Sequence, residues 1–275
     1  MATSRKPSDA EPTPPGAAVV ASRALMVAAL MERARLETAR DPARFQALST
    51  WVKAHGLFTN LGADGIELFD APLGTWSEDD VDAVGWTTEE LQLLLWALGQ
   101  VEFPSLEVPA DGAALLPKVP LLGEPAAFLA AVTLRPADEV EDKAQLYEAL
   151  NEALRSEVYA RSLKEDPKSL EADEDLEELL RSVAAEGFDR AAAATKGKVN
   201  EAVQGLRFWA RTLLLELFGE GSPHLAYRLD PTRLLTLADG TLATMLALAD
   251  ARSGGLAWLR EGDAGDTGAD QPDDD

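Results

Sequence analysis

Histidine is scarce and cysteine absent, so the chemistry open to this 275-residue chain is narrow from the start. Without thiols there is no disulfide framework, thiolate metal site or cysteine nucleophile. His55 stands in Ala54-His55-Gly56, the pattern of an ordinary helix ending. His224 follows Ser222-Pro223 in a loop after Gly219 and Gly221, and is a candidate binding residue with no second imidazole near it in sequence. No serine occupies a Gly-x-Ser-x-Gly elbow, and no glycine pattern of a phosphate-binding loop occurs. Glu78-Asp79-Asp80-x-Asp82 lacks the glycine and terminal glutamate of a calcium loop and reads as a charged first helical turn. The acids between Asp173 and Glu178 are contiguous, so on a helix they fan out and do not converge. The residues therefore assign no catalytic set, no metal ligands and no cofactor.

The six tryptophans are more informative. Trp51, Trp86, Trp96, Trp209 and Trp258 sit in or beside apolar stripes, and packing accounts for most of them. Trp76 and Trp86 flank the acidic stretch, where a half-exposed ring would make a good anchor for a partner. Trp76, Trp86 and Glu89, with His224, are the candidate binding residues.

These residues must be carried by helices. Asp41-Pro42 pairs an N-cap with a first-turn proline ahead of Phe45, Leu48 and Val52. Ser77 precedes three acids suited to the positive end of a helix. Thr87 and Glu90 have the spacing of a capping box that would open a separate helix. From there Leu91, Leu94, Leu95 and Leu98 recur at i, i+3, i+4 and i+7, while Leu93 and Trp96 make the other side apolar too. A helix apolar all round belongs in the core. Glu124-Pro125 starts a short helix and Pro136 a longer one bearing Tyr147, Leu150, Leu154 and Val158. Leu206, Trp209, Ala210, Leu213 and Leu217 form a further stripe. Asp230-Pro231 starts a last helix with Leu235, Ala238, Leu242, Met245 and Ala249. The expected core therefore includes Trp51, Leu91, Leu94, Leu95, Trp96, Leu98, Trp209 and Leu213. Alternation is confined to Ile66-Glu67-Leu68 after Asp64-Gly65, which would suit one strand of a small β-hairpin.

The fold class expected is all-α: a single globular multi-helix domain over 17–261, with at most that one hairpin. Residues 1–16, rich in proline, and 262–275, with six aspartates and no base, are expected to be disordered. Residues 100–125 hold five prolines among apolar side chains, as a long loop packed on helices would. Residues 164–198 read as a solvated acidic insertion. The apolar stretch Ala17–Met31 is interrupted by Arg23 and followed by Glu32, Arg33 and Arg35, unlike a secretion signal, and no window has the length of a membrane span.

One segment is specific. Trp86-Thr87-Thr88-Glu89-Glu90-Leu91-Gln92-Leu93-Leu94-Leu95-Trp96-Ala97-Leu98-Gly99 resembles the Trp-x-x-Glu-x-Leu-x-x-Leu-Leu-Trp-Ala-Leu-Gly signature of a bacterial family, domain of unknown function 4272. Ser22-Arg23-Ala24-Leu25, Trp51-Val52 with Gly56-Leu57, and Leu134-Arg135 with Glu139-Val140 resemble further family stretches in the same order, over roughly 22–160. The polar residues that the family carries near its C-terminus have no counterpart in Val199–Arg211. The resemblance implies a mostly helical fold and a bacterial source, and names no activity.

Charge supplies the last expectation. With 48 acids against 25 bases, the formal net charge is −23. Such a chain repels nucleic-acid phosphates and anionic membranes alike. The composition fits a soluble, cytoplasmic, non-catalytic interaction protein whose partner is basic, an immunity-like inhibitor being one version. The competing expectation is an enzyme built on scattered carboxylates with a divalent cation.

Overall fold

The computed structural model describes residues 14–165, 199–218 and 236–262. Every regular element among them is helical. In chain order these are α1 (Ala17–Ala39), α2 (Pro42–Ala54), α3 (Ala63–Asp70), α4 (Glu78–Ala97), α5 (Gly112–Leu115), α6 (Ala126–Ala131), α7 (Ala137–Glu165), α8 (Val199–Phe218) and α9 (Asp239–Glu261). Short 3-10 turns occupy Leu57–Asn60 and Leu116–Lys118.

The helix starts follow local chemistry. Asp41 Oδ1 accepts from the Arg44 amide at 3.0 Å, with Pro42 in the first turn of α2. Ser77 and Asp80 form a reciprocal capping box at the start of α4. His55 closes α2, and Gly56 follows at φ +65°, a conformation that glycine adopts without a Cβ penalty.

Three expectations need correction. The chain around Ile66 is α3, not a hairpin strand: the Ile66 amide donates to the Gly62 carbonyl at 3.1 Å. Ile66 and Phe69 are at helical i, i+3 spacing, and Phe69 is buried. Three alternating residues are too short a signal to outweigh that burial. Nor does Thr87 cap a helix, because α4 runs unbroken from Glu78 to Ala97. Its hydroxyl instead donates back to the Val84 carbonyl at 2.7 Å. Glu90 pairs with Arg23 at 2.5 Å. Finally, the helix bearing Leu242, Met245 and Ala249 starts at Asp239, after a break at Thr236–Ala238, so Ala238 is not part of it; Asp230-Pro231 lies outside the described residues.

The described chain divides into two compact units. The first comprises residues up to Phe103, Asp111–Glu141 and the chain from Gly254 on; the second comprises Pro104–Ala110 and Asp142–Ser253. In the first unit α1 packs along α4 more extensively than any other two elements pack. Arg23, near the start of α1, reaches Glu90 on the later part of α4, while Glu37, near the end of α1, lies beside Ser77 and Glu78. The pair is therefore antiparallel. Val20, Ala21, Ala24–Leu30 and Leu36 of α1 are buried, as are Leu91 and Leu93–Ala97 of α4. Gly255 fits against Leu93, where an added Cβ would come within 3.0 Å.

In the second unit Leu146, Tyr147, Leu150 and Leu154 of α7, Leu206, Ala210 and Leu213 of α8, and Leu242, Met245 and Leu248 of α9 are buried. Glu157 ties these helices together. It accepts from Arg161 at 2.8 Å and from Arg207 at 3.1 Å, and Arg161 in turn donates to the Leu237 carbonyl at 2.7 Å and Asp239 at 2.6 Å. Part of the proline-rich stretch belongs here. The fully buried Arg252 donates to the Ser105 carbonyl at 2.6 Å, the Val108 carbonyl at 2.8 Å and the Tyr147 hydroxyl at 2.9 Å, and Leu106 packs inward.

Candidate functional site

The candidate site lies in the first unit, where the charged end of α1 meets the start of α4. Beyond Leu30 the side chains of α1 change from apolar to ionic, yet Glu32, Arg33 and Glu37 remain buried. A buried guanidinium requires partners. Arg33 pairs with Glu37 one turn on and donates to the Ala71 carbonyl at 3.0 Å, with longer bonds of 3.4 Å to the Phe69 and Pro72 carbonyls. It lies between two rings, 4.5 Å from the centroid of Phe45 and 4.6 Å from that of Trp76. One side chain thus holds α2, the end of α3 and the segment leading into α4 against α1.

Glu32 has a matching role on the neighbouring face. It accepts from Arg35 at 2.8 Å and from Arg44 of α2. The Arg35 hydrogen bond, helped by Arg44, holds its carboxyl below the usual carboxylate range against the opposing effect of burial. Asp80 is likewise lowered, by the hydroxyl and then the amide of Ser77.

A groove of about 450 Å³ opens beside this cluster, its walls including Glu37, Arg40, Trp76, Glu78 and Asp82. Trp76 is anchored by its indole N–H, which donates to the Leu68 carbonyl at 2.8 Å. Arg40 lies across Gly74, whose φ of +90° and lack of a Cβ admit the guanidinium. Glu37 is 5 % exposed, and its Oε2 has no hydrogen-bond partner among the described residues. Such an acceptor costs roughly 1–3 kcal/mol when left unmet.

Beside the groove, the outer face of α4 carries Glu78, Asp79 and Asp82, all exposed. Trp86, 44 % exposed, is one turn beyond Asp82. Glu78, Asp82 and Trp86 fall at i, i+4 and i+8 and so share a stripe. The acidic and aromatic side chains are thus presented together, as anchors for a cationic surface.

The remaining sequence candidates fall elsewhere. Glu89 is 3 % exposed, engaged within the protein, and does not join Trp86 at the surface. His224 lies outside the described residues. Trp51, Leu91, Leu94, Leu95, Trp96, Leu98 and Leu213 are buried. Trp209 is half-buried, its indole N–H donating to Glu152 at 2.8 Å. Sequence reasoning missed the Arg33 cluster; its signal was the i, i+4 pair Arg33 and Glu37 at the end of a helix whose stretch Ala24–Met31 is apolar.

A second recess, of about 350 Å³, is mostly apolar and lined by Pro14, Val20, Leu134, Val140 and Leu259. The guanidiniums on its rim are already held, Arg135 by Glu139 at 2.9 Å and Arg260 by Glu261 at 2.6 Å. Among the described residues no group of three or more histidines or acids is placed to hold a metal ion, and no helix is long and apolar enough to cross a membrane.

The helical fold and the Trp86–Gly99 segment define the class of protein. The family model for the domain of unknown function DUF4272 matches residues 3–171, more than half of the chain, and the chain belongs to that family. No curated protein and no solved structure matches it.

Proposed function

We propose that this chain is a non-catalytic binding protein that docks a basic protein on the acidic face of α4, acting in the cytoplasm. One observation carries the reading: among the described residues many of the bases are paired with the chain's own acids, while the acids beside Trp86 point outward. Arg23, Arg33, Arg35, Arg44, Lys53, Arg135, Arg155, Arg161 and Arg207 all pair with carboxylates of the same chain. With 48 acids and 25 bases, such pairing leaves a large unmatched negative surface. That field draws in a basic partner and favours fast association at low salt. An immunity-like protein, which holds a basic toxin or nuclease inactive, is the version that best suits a rigid helix face bearing one aromatic anchor.

Capture from the native host with the full chain as bait, at low and high salt, tests this. The expected catch is a basic polypeptide released by salt and lost when Trp86→Ala is combined with Asp79→Asn. A partner that is neutral or acidic, or that binds the double variant as well as wild type, overturns the reading.

A further inference from the structure

We infer that the groove between the end of α1 and the start of α4 is a pocket for one basic side chain, a guanidinium or ammonium, of the partner. This rests on the binding-protein reading and names the point of recognition within it. Three independent features point to a cation. The first is charge: Arg33 offsets Glu37, and Glu78 and Asp82 outweigh Arg40 by a single negative charge, enough for one monovalent group. The second is the nearly buried Glu37 on the groove wall, whose Oε2 lacks a hydrogen-bond donor that an incoming N–H would supply. The third is the surrounding structure. Trp76 already takes one guanidinium against its ring, so its π-system is placed for cations. The end of α1 adds the negative pole of its helix and carbonyls that no helical amide reaches. At the start of α4 the opposite pole is offset by Glu78, Asp79 and Asp80, the last of them occupied in the capping box.

The probe is n-butylguanidinium, with neutral butylurea as the shape control, titrated into the full-length protein. Indole N–H resonances are followed by NMR, Trp76 being assigned by Trp76→Phe. The expected result is a saturable shift of the Trp76 indole with n-butylguanidinium and none with butylurea. Binding should weaken at least tenfold in Glu78→Gln/Asp82→Asn, and equally in Asp82→Lys, which sets a rival cation on the exposed rim and leaves the buried cluster untouched. No saturable shift, or wild-type affinity in both variants, overturns the pocket. Host capture with Glu78→Gln/Asp82→Asn separates the two claims. A basic partner still held by that variant, with no n-butylguanidinium binding to wild type, sinks the pocket and spares the reading. Failure of wild type to hold any basic partner sinks both.

Discussion

The two ends of the antiparallel α1–α4 pair are built on opposite principles. At one end Ala24–Leu30 of α1 lie along Leu91–Ala97 of α4, and the contact is apolar on nearly every side. At the other, Glu32, Arg33 and Glu37 of α1 are buried and ionic, and Glu37 lies beside the acidic first turns of α4. The apolar end gains stability in proportion to the surface it removes from water, with little demand on geometry. The ionic end gains little net stability, because desolvation cancels most of the Coulomb attraction, but it demands one arrangement of Phe45, Trp76 and the Phe69–Pro72 carbonyls. The comparison teaches that this helix pair separates the task of staying folded from that of presenting a surface.

Substitutions at the two ends test that separation. The largest effect is expected from Trp96→Ala, where a fully buried indole at the apolar end is removed: about 3–5 kcal/mol of stability, read by denaturant unfolding. An unchanged midpoint would contradict its place in the core. Arg33→Met should cost up to about 3–5 kcal/mol because Glu37 is left buried without its partner. Adding Glu37→Leu should restore much of that loss, whereas a double variant no better than the single would show that the rings and carbonyls, not the charge, set the cost.

A smaller, pH-dependent effect is expected from Glu32. Its folded pKa lies below the unfolded value, so its contribution is complete above about pH 4.3 and is lost as pH falls through the lower folded pKa. Glu32→Gln should flatten the acid limb of the stability curve, and an identical acid limb in the variant would remove Glu32 from the account. The smallest effect on stability, within about 0.5 kcal/mol, is expected from Trp86→Ala. Its effect on partner affinity should still exceed tenfold, which binding calorimetry with the captured partner would read.

Much of the apolar end was legible in the residues alone. Leucines at i, i+3 and i+4 around Trp96, the Asp41-Pro42 start and the Ser77 cap each signal through neighbours within one helical turn. The misread elements show where that range fails. Thr87 has the spacing of a cap, but nothing before it breaks the helix, and Glu90 is drawn off by Arg23, 67 residues away. Ile66 alternates with its neighbours over three residues, and the burial of Phe69 decides in favour of helix. The ionic end was the least legible. Arg33 shows only an i, i+4 partner in sequence, while its rings and carbonyls come from three later segments that only folding brings together.

Arg252 carries a consequence for how the chain tolerates change. It grips the strip from Pro104 to Ala110 by main-chain oxygens, from as far as 147 positions downstream. Backbone oxygens are the same whatever residue bears them. Apart from inward-packed Pro104 and Leu106, the strip is therefore free to drift in composition while its course stays put, so relatives should differ most in spelling where they agree in path, provided the distant arginine is kept.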